Sequence, residues 1–65
     1  MIYKVVDAGH LIRYVEADEV TYADGRVFFS RGANKIFVAM YDAPMHIEEL
    51  KARPVGEIVV GEKNK

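Results

Sequence analysis

The strongest constraint on the fold is the dipeptide Asp24-Gly25, which separates two runs of β-branched and aromatic residues. A dipeptide of this type favours the tight turn of a β-hairpin. The strand after the turn spans residues 26–31, and "GAN" at 32–34 predicts a second turn before a strand at 35–41. Because both faces of these two strands carry apolar side chains, we expect both faces to be covered.

Two further strands are predicted before this hairpin. Residues 2–6 are β-branched and aromatic around one lysine, and residues 11–17 alternate between two faces. Between them, residues 7–10 form a turn signal, in which Asp7 can bond the backbone ahead and Gly9 can adopt positive φ. A kink or bulge is expected at 17–19, where the alternation breaks.

Residues 42–54 change period and predict a helix. Asp42 is a good N-cap, Pro44 is tolerated in a first turn, Glu49 and Arg53 are spaced as an i, i+4 pair, and Pro54 ends the segment. The helix would have about two to three turns, so it must dock on the sheet. A last strand is predicted at 55–61.

These elements predict a single domain over residues 1–61 with a flexible tail at 62–65. The fold class is mainly β (small α+β): a compact antiparallel meander or small barrel of about five strands, with one short helix before the last strand. In strand count this plan resembles SH3-like small barrels. No motif in the chain identifies a family.

Composition excludes several classes of site. A chain of 65 residues buries only about 60% of its unfolded surface, so its stability margin is thin. The features that usually add stability to such a domain are disulfides, a structural metal or oligomerisation. The chain has no cysteine, and its two histidines lack paired ligand spacing, so we expect no disulfide, no structural metal and no cofactor. Oligomerisation, with a dimer favoured, is the route that is left.

The remaining bulk properties indicate a cytoplasmic protein. The hydrophobic fraction of 51% is typical of a globular domain, and the net charge of −1 gives no overall attraction to nucleic acid. No apolar run approaches the roughly 18 residues that span a bilayer. The N-terminal residues do not read as a signal peptide.

A locally basic segment offers an anion or nucleic-acid site. Arg26, Arg31 and Lys35 occur without an acidic residue among them, next to aromatic side chains that could stack on bases. The simpler interpretation is a solvated hairpin tip whose cations discourage edge-to-edge aggregation. The segment lacks the P-loop pattern.

Candidate catalytic groups are few. His46 and Glu49 would lie near each other on a helix, but no serine or cysteine nucleophile is close in sequence. The acidic stretch 16–24 could face a basic partner or a cation, although a solvated turn explains it as well. We therefore expect no enzymatic activity.

Seven aromatic residues carry the strongest functional signal, because one small core cannot bury them all along with the aliphatic residues. The leading hypothesis is a small non-enzymatic protein-interaction module that self-associates and acts as an adaptor, an assembly subunit or an inhibitor. Its compact, cysteine-free character is consistent with a protein encoded by a virus or phage. The alternative is a small nucleic-acid-binding barrel that uses the 26–35 hairpin. The partner-binding candidates are Tyr14, Tyr22, Phe28, Phe37 and Tyr41.

Overall fold

Seven strands form the regular structure of the computed structural model, which describes residues 1–42 and 45–62. They are β1 (Ile2–Val6), β2 (Ile12–Glu16), β3 (Glu19–Ala23), β4 (Arg26–Arg31), β5 (Asn34–Met40), β6 (His46–Leu50) and β7 (Val59–Val60). They make a four-stranded sheet in the order β6-β1-β2-β7 and a three-stranded sheet in the order β3-β4-β5. All neighbours are antiparallel except β2 and β7.

The turns predicted after β1 and at Asp24-Gly25 both form, and residues within each turn account for its conformation. Asp24 and Gly25 both have positive φ, 54° and 71°, as the two central residues of a type I′ hairpin turn do. In the turn after β1, the Asp7 carboxylate accepts hydrogen bonds from the backbone N–H groups of Gly9 and Leu11, at 2.9 and 3.0 Å. The positive φ in that turn belongs to His10 and not to Gly9.

The expected irregularity at 17–19 is the point where the chain passes from one sheet to the other. The N–H of Ala17 donates to the carbonyl of Met1 at the end of the first sheet, and the N–H of Asp18 donates to the carbonyl of Ser30 in the second. Two consecutive amides therefore bond to different sheets. The predicted antiparallel meander is therefore interrupted between β2 and β3, which belong to different sheets.

The core lies between the facing sides of the two sheets. Phe29 is fully buried at its centre, with its ring centroid 5.7 Å from that of Tyr3 and 5.9 Å from that of Phe37. Val15 and Val27, from opposite sheets, are also fully buried. The pattern is that of strands with one face on a shared core.

The predicted helix over 42–54 is wrong, since the described residues contain no helix and His46–Leu50 is strand β6. Residues 43 and 44 of that segment lie outside the described residues. Strand β6 pairs with β1, placing Ile47 opposite Val5 and bringing Ile47 against the core. A helix this short is marginal in water, whereas pairing with β1 satisfies backbone groups that would otherwise lie at a sheet edge.

The predicted last strand at 55–61 reduces to Val59–Val60, which runs parallel to β2. The preceding loop is organised by Arg53, whose guanidinium donates to the carbonyls of Pro54 and Glu57 and to the carboxylate of Glu62. The hydrogen bond from Arg53 lowers the pKa of the Glu62 carboxyl. Residues 63–65 of the predicted tail lie outside the described residues.

The mainly β class is confirmed. The described chain differs from the predicted five-strand plan in having seven strands in two sheets, so the likeness to SH3-like barrels in strand count is not supported. The extra strands arise because residues 11–22 divide between the sheets and residues 46–50 extend the first sheet.

Truncating the core phenylalanine tests this packing. Phe29→Ala removes a fully buried ring and should cost about 3–5 kcal/mol of unfolding free energy, a large part of what a small domain possesses. Phe28→Ala is the matched control, because Phe28 is the preceding residue of β4 and is only partly buried. Denaturant unfolding of dilute protein should show a loss for Phe28→Ala of less than half that for Phe29→Ala. Equal losses would contradict the assignment of the two faces.

Candidate protein-interaction surface

The outward side of the three-stranded sheet is a candidate interaction surface. Because side chains alternate along β4 and Val27 and Phe29 face the core, Phe28 points away from it. The strand register extends this side over three rows of three residues, which we call the outer face. Its rows are Ala23-Arg26-Met40, Thr21-Phe28-Val38 and Glu19-Ser30-Lys35.

The outer face is apolar at its centre and along the β5 side. Phe28 is half-buried in the middle of the nine residues, while Val38 is 42% exposed and Met40 is 65% exposed. Thr21 and Ala23, on the β3 side, are exposed as well. The outer face therefore presents a contiguous apolar surface to solvent, in contrast to the buried inner face of the same strands.

The charged groups of the outer face lie around this apolar centre. Glu19 and Lys35 occupy the two ends of one row, and Arg26 lies between Ala23 and Met40 in the opposite row. The Lys35 ammonium is 5.7 Å from the centroid of the Phe28 ring, a distance typical of a cation–π contact. Within residues 1–42 and 45–62, none of these three charged side chains forms an ion pair.

The three predicted anion-binding residues are not brought together. Arg26 and Lys35 lie on the outer face. Arg31 is on the opposite side of β4, the side that Val27 and Phe29 share, because side chains alternate along a strand. Its Nη2 donates to the carbonyls of Gly61, at 2.9 Å, and Glu16, at 3.4 Å. Arg31 therefore links the second sheet to the end of the first, and its donor groups are partly used within the chain. The alternation of side chains along the predicted strand is the feature of the sequence that could have distinguished Arg31 from Arg26 and Lys35.

The five aromatic candidates are also distributed over different surfaces. Phe28 lies on the outer face, whereas Phe37 packs inward against Phe29 and beneath the Arg13 guanidinium, which is 5.9 Å from its ring centroid. Tyr22 and Tyr41 are exposed and meet edge to face, with centroids 5.2 Å apart. The fifth, Tyr14, is half-buried on the four-stranded sheet.

A second exposed apolar group was missed from the sequence. Val55 and Ile58, in the loop before β7, are 95% and 88% exposed. Ile58 and the exposed Ile12 line a shallow groove of about 360 Å³ beside Tyr14 and Val60. The composition of residues 55–61 predicts a strand, in which these two side chains would point to opposite faces. Gly56 is the feature of the sequence that indicates a loop, and in the structure its φ is 77°.

The geometry does not assemble the candidate acid–base pair. His46 and Glu49 are three residues apart in strand β6, so they point to opposite faces of the sheet. Glu49 instead lies opposite Tyr3, and burial, with smaller contributions from Glu49 and Asp18, raises the pKa of the Tyr3 hydroxyl. In the part of the chain that the structure describes, no three acidic or histidine side chains converge as a metal site.

Two further observations bear on identity. Among the described residues there is no helix with the length and hydropathy needed to cross a membrane. Comparison of the chain with protein-family models, with curated proteins and with solved structures gave no significant match.

The role of Arg31 can be tested by substitution. Arg31→Gln removes a half-buried guanidinium that bonds two backbone carbonyls, and should lower the free energy of unfolding by about 1–3 kcal/mol. Lys35→Gln removes the same charge as Arg31→Gln, but at an exposed position. It should change the free energy of unfolding by no more than about 0.5 kcal/mol. Chemical denaturation of both variants makes the comparison. Indistinguishable stabilities would mean that Arg31 does not link the sheets.

Proposed function

We propose that this protein is a small non-enzymatic interaction module that self-associates through the outer face. The observation that carries the proposal is the exposure of Val38 and Met40 beside Phe28 on a regular, three-stranded sheet surface. Contiguous apolar surfaces of this kind mark protein contacts in soluble proteins. Adaptors, assembly subunits and inhibitors of other proteins all act through such a surface.

The arrangement of residue types on the outer face supports this proposal. Protein interfaces are depleted of charge at their centre and enriched in aromatic residues, methionine and arginine, with a polar rim. The outer face has Phe28 at its centre with Met40 in a neighbouring row, and Glu19 and Lys35 lie at the two ends of the opposite row. Burying the exposed parts of Val38 and Met40 would be favourable at about 25 cal/mol per Å² of apolar surface.

The size of the domain supports association for a separate reason. Only seven residues are buried among the described ones, and the chain has no cysteine for a disulfide. Domains near this size are marginally stable as single chains. A second copy covering an exposed apolar face would add buried area that one chain does not supply, and mass action would then stabilise the folded state.

The double variant Val38→Thr/Met40→Gln tests self-association. It keeps β-compatible side chains on β5 but makes the exposed outer face more polar, so it should reduce association at least about tenfold while the domain stays folded. Sedimentation analysis over a range of concentrations measures the mass of each protein.

Val55→Gln is the control for that experiment, because Val55 is an exposed apolar residue in the loop before β7 and is not one of the nine residues of the outer face. It should associate like the wild type. A wild-type protein that remains a monomer up to about 1 mM would contradict the proposal. At that concentration a complex with a binding free energy of only about −4 kcal/mol is already half-formed.

A second candidate function is nucleic-acid binding, which is favoured by the placement of Arg26, Phe28 and Lys35 on the same exposed face. Cations beside an aromatic ring are the elements of single-strand binding surfaces. Glu19 on the same face and the net charge of −1 oppose it.

Fluorescence anisotropy with single-stranded and duplex oligonucleotides at two salt concentrations tests this second candidate. Two phosphate contacts on a single strand predict a slope of about −1.4 in a plot of log binding constant against log salt concentration. Arg26→Gln/Lys35→Gln should abolish that binding, while Arg31→Gln should retain it if the protein stays folded. Absence of salt-dependent binding at low salt would remove the candidate.

A further inference from the structure

The outer face has a charge pattern that is complementary to itself. Glu19 and Lys35 lie in the same row, on the two outer strands β3 and β5, with Ser30 of β4 between them. Their strands are about 10 Å apart across β4, and neither side chain forms an ion pair within the described residues. Both side chains are exposed, so each can reach a partner that carries the opposite charge at the corresponding position.

We propose that two copies of this chain stack their outer faces about a two-fold axis that runs parallel to β4. This inference rests on the proposed self-association and specifies its geometry. Face-to-face sheets pack about 10 Å apart with their strands nearly aligned. A rotation about that axis places β3 of one copy over β5 of the other and preserves the rows. Glu19 then faces Lys35 of the second copy, and the symmetry repeats this pair.

The same rotation matches the apolar residues. Phe28 meets Phe28 of the second copy at the axis, while Thr21 lies over Val38 and Ala23 over Met40 of the second copy. The apolar centre is closed, and the two Glu–Lys pairs lie at its border. Such border pairs set the orientation of an interface more than its strength.

One like-charge contact opposes this arrangement, because Arg26 is a β4 residue and faces Arg26 of the second copy near the axis. Arg26 is exposed at the end of β4 beside the Asp24-Gly25 turn, so its guanidinium can extend into solvent while its stem packs on the face. The arginine therefore weakens the dimer and provides a second test of the geometry.

The size of the outer face predicts a weak dimer. Three strands about 4.8 Å apart and about 20 Å long cover about 300 Å² per copy, compared with about 800 Å² per partner in a standard interface. Association should thus be studied between about 10 µM and 1 mM protein, at low ionic strength where exposed ion pairs are least screened.

Charge reversal by Glu19→Lys tests the pairing. It turns both Glu–Lys pairs into Lys–Lys pairs and should weaken association about tenfold or more in sedimentation equilibrium. Glu57→Lys makes the same change in net charge in the exposed loop before β7 and should change association by less than about twofold. The exchange Glu19→Lys/Lys35→Glu recreates both pairs and should return association to within about threefold of wild type.

Arg26→Gln should strengthen association about threefold or more, since it removes the like-charge contact at the axis. In the other stacking, about an axis across the strands, Arg26 would face Ser30 and Glu19 would face Ala23 of the second copy. In that arrangement neither Glu19→Lys nor Arg26→Gln would change the strength of association markedly. Circular dichroism of each variant at dilute concentration checks that these exposed substitutions leave the domain folded.

The outcomes separate the two proposals. One result would overturn this geometry and leave the proposed function intact. In that result Val38→Thr/Met40→Gln abolishes association, but Glu19→Lys and Glu57→Lys change it equally. Failure of the charge exchange to restore association would also overturn the geometry. A wild-type protein that stays monomeric up to about 1 mM would overturn both.

Discussion

The structure depends on the burial of Phe29 between the two sheets. Its ring lies near Tyr3 from the first sheet and Phe37 from its own, and Val15 and Val27, one from each sheet, belong to the same buried cluster. The apolar surface that this cluster buries offsets part of the conformational entropy that the chain loses on folding. Hydrogen bonds from Arg31 to the backbone carbonyls of Glu16 and Gly61 also connect the two sheets.

The inward orientation of Phe29 determines the surface that is left for function. Side chains alternate along β4, so burying Val27 and Phe29 necessarily turns Phe28 outward. The neighbouring strands then bring Val38 and Met40 to the same exposed side. The core and the proposed interface are two faces of one sheet, and the residues of the interface can change with little effect on the core.

Individual residues show how far the sequence predicts this site. Of the residues predicted to bind a partner or an anion, Phe28, Arg26 and Lys35 lie on the outer face. Phe37 packs against the core, and Arg31 donates to the backbone carbonyl of Gly61. The aromatic and basic residues were recognised by type, but a side chain's face depends on strand register, and the extra residue in β5 near Ile36 shifts that register. The exposed Val55 and Ile58 were missed because their segment had a strand-like composition.

The sequence by itself determined the β class, the hairpin at Asp24-Gly25 and the bond pattern of the Asp7 turn, because these depend on local φ preferences and on side chains within a few residues. Only the tertiary structure decided the division into two sheets and the state of residues 46–50. Their composition favoured a helix, but the unpaired edge of β1, more than 40 positions earlier in the chain, offered hydrogen bonds and a core contact for Ile47. Such long-range pairing outweighs a weak local preference, since a short helix gains little stability alone.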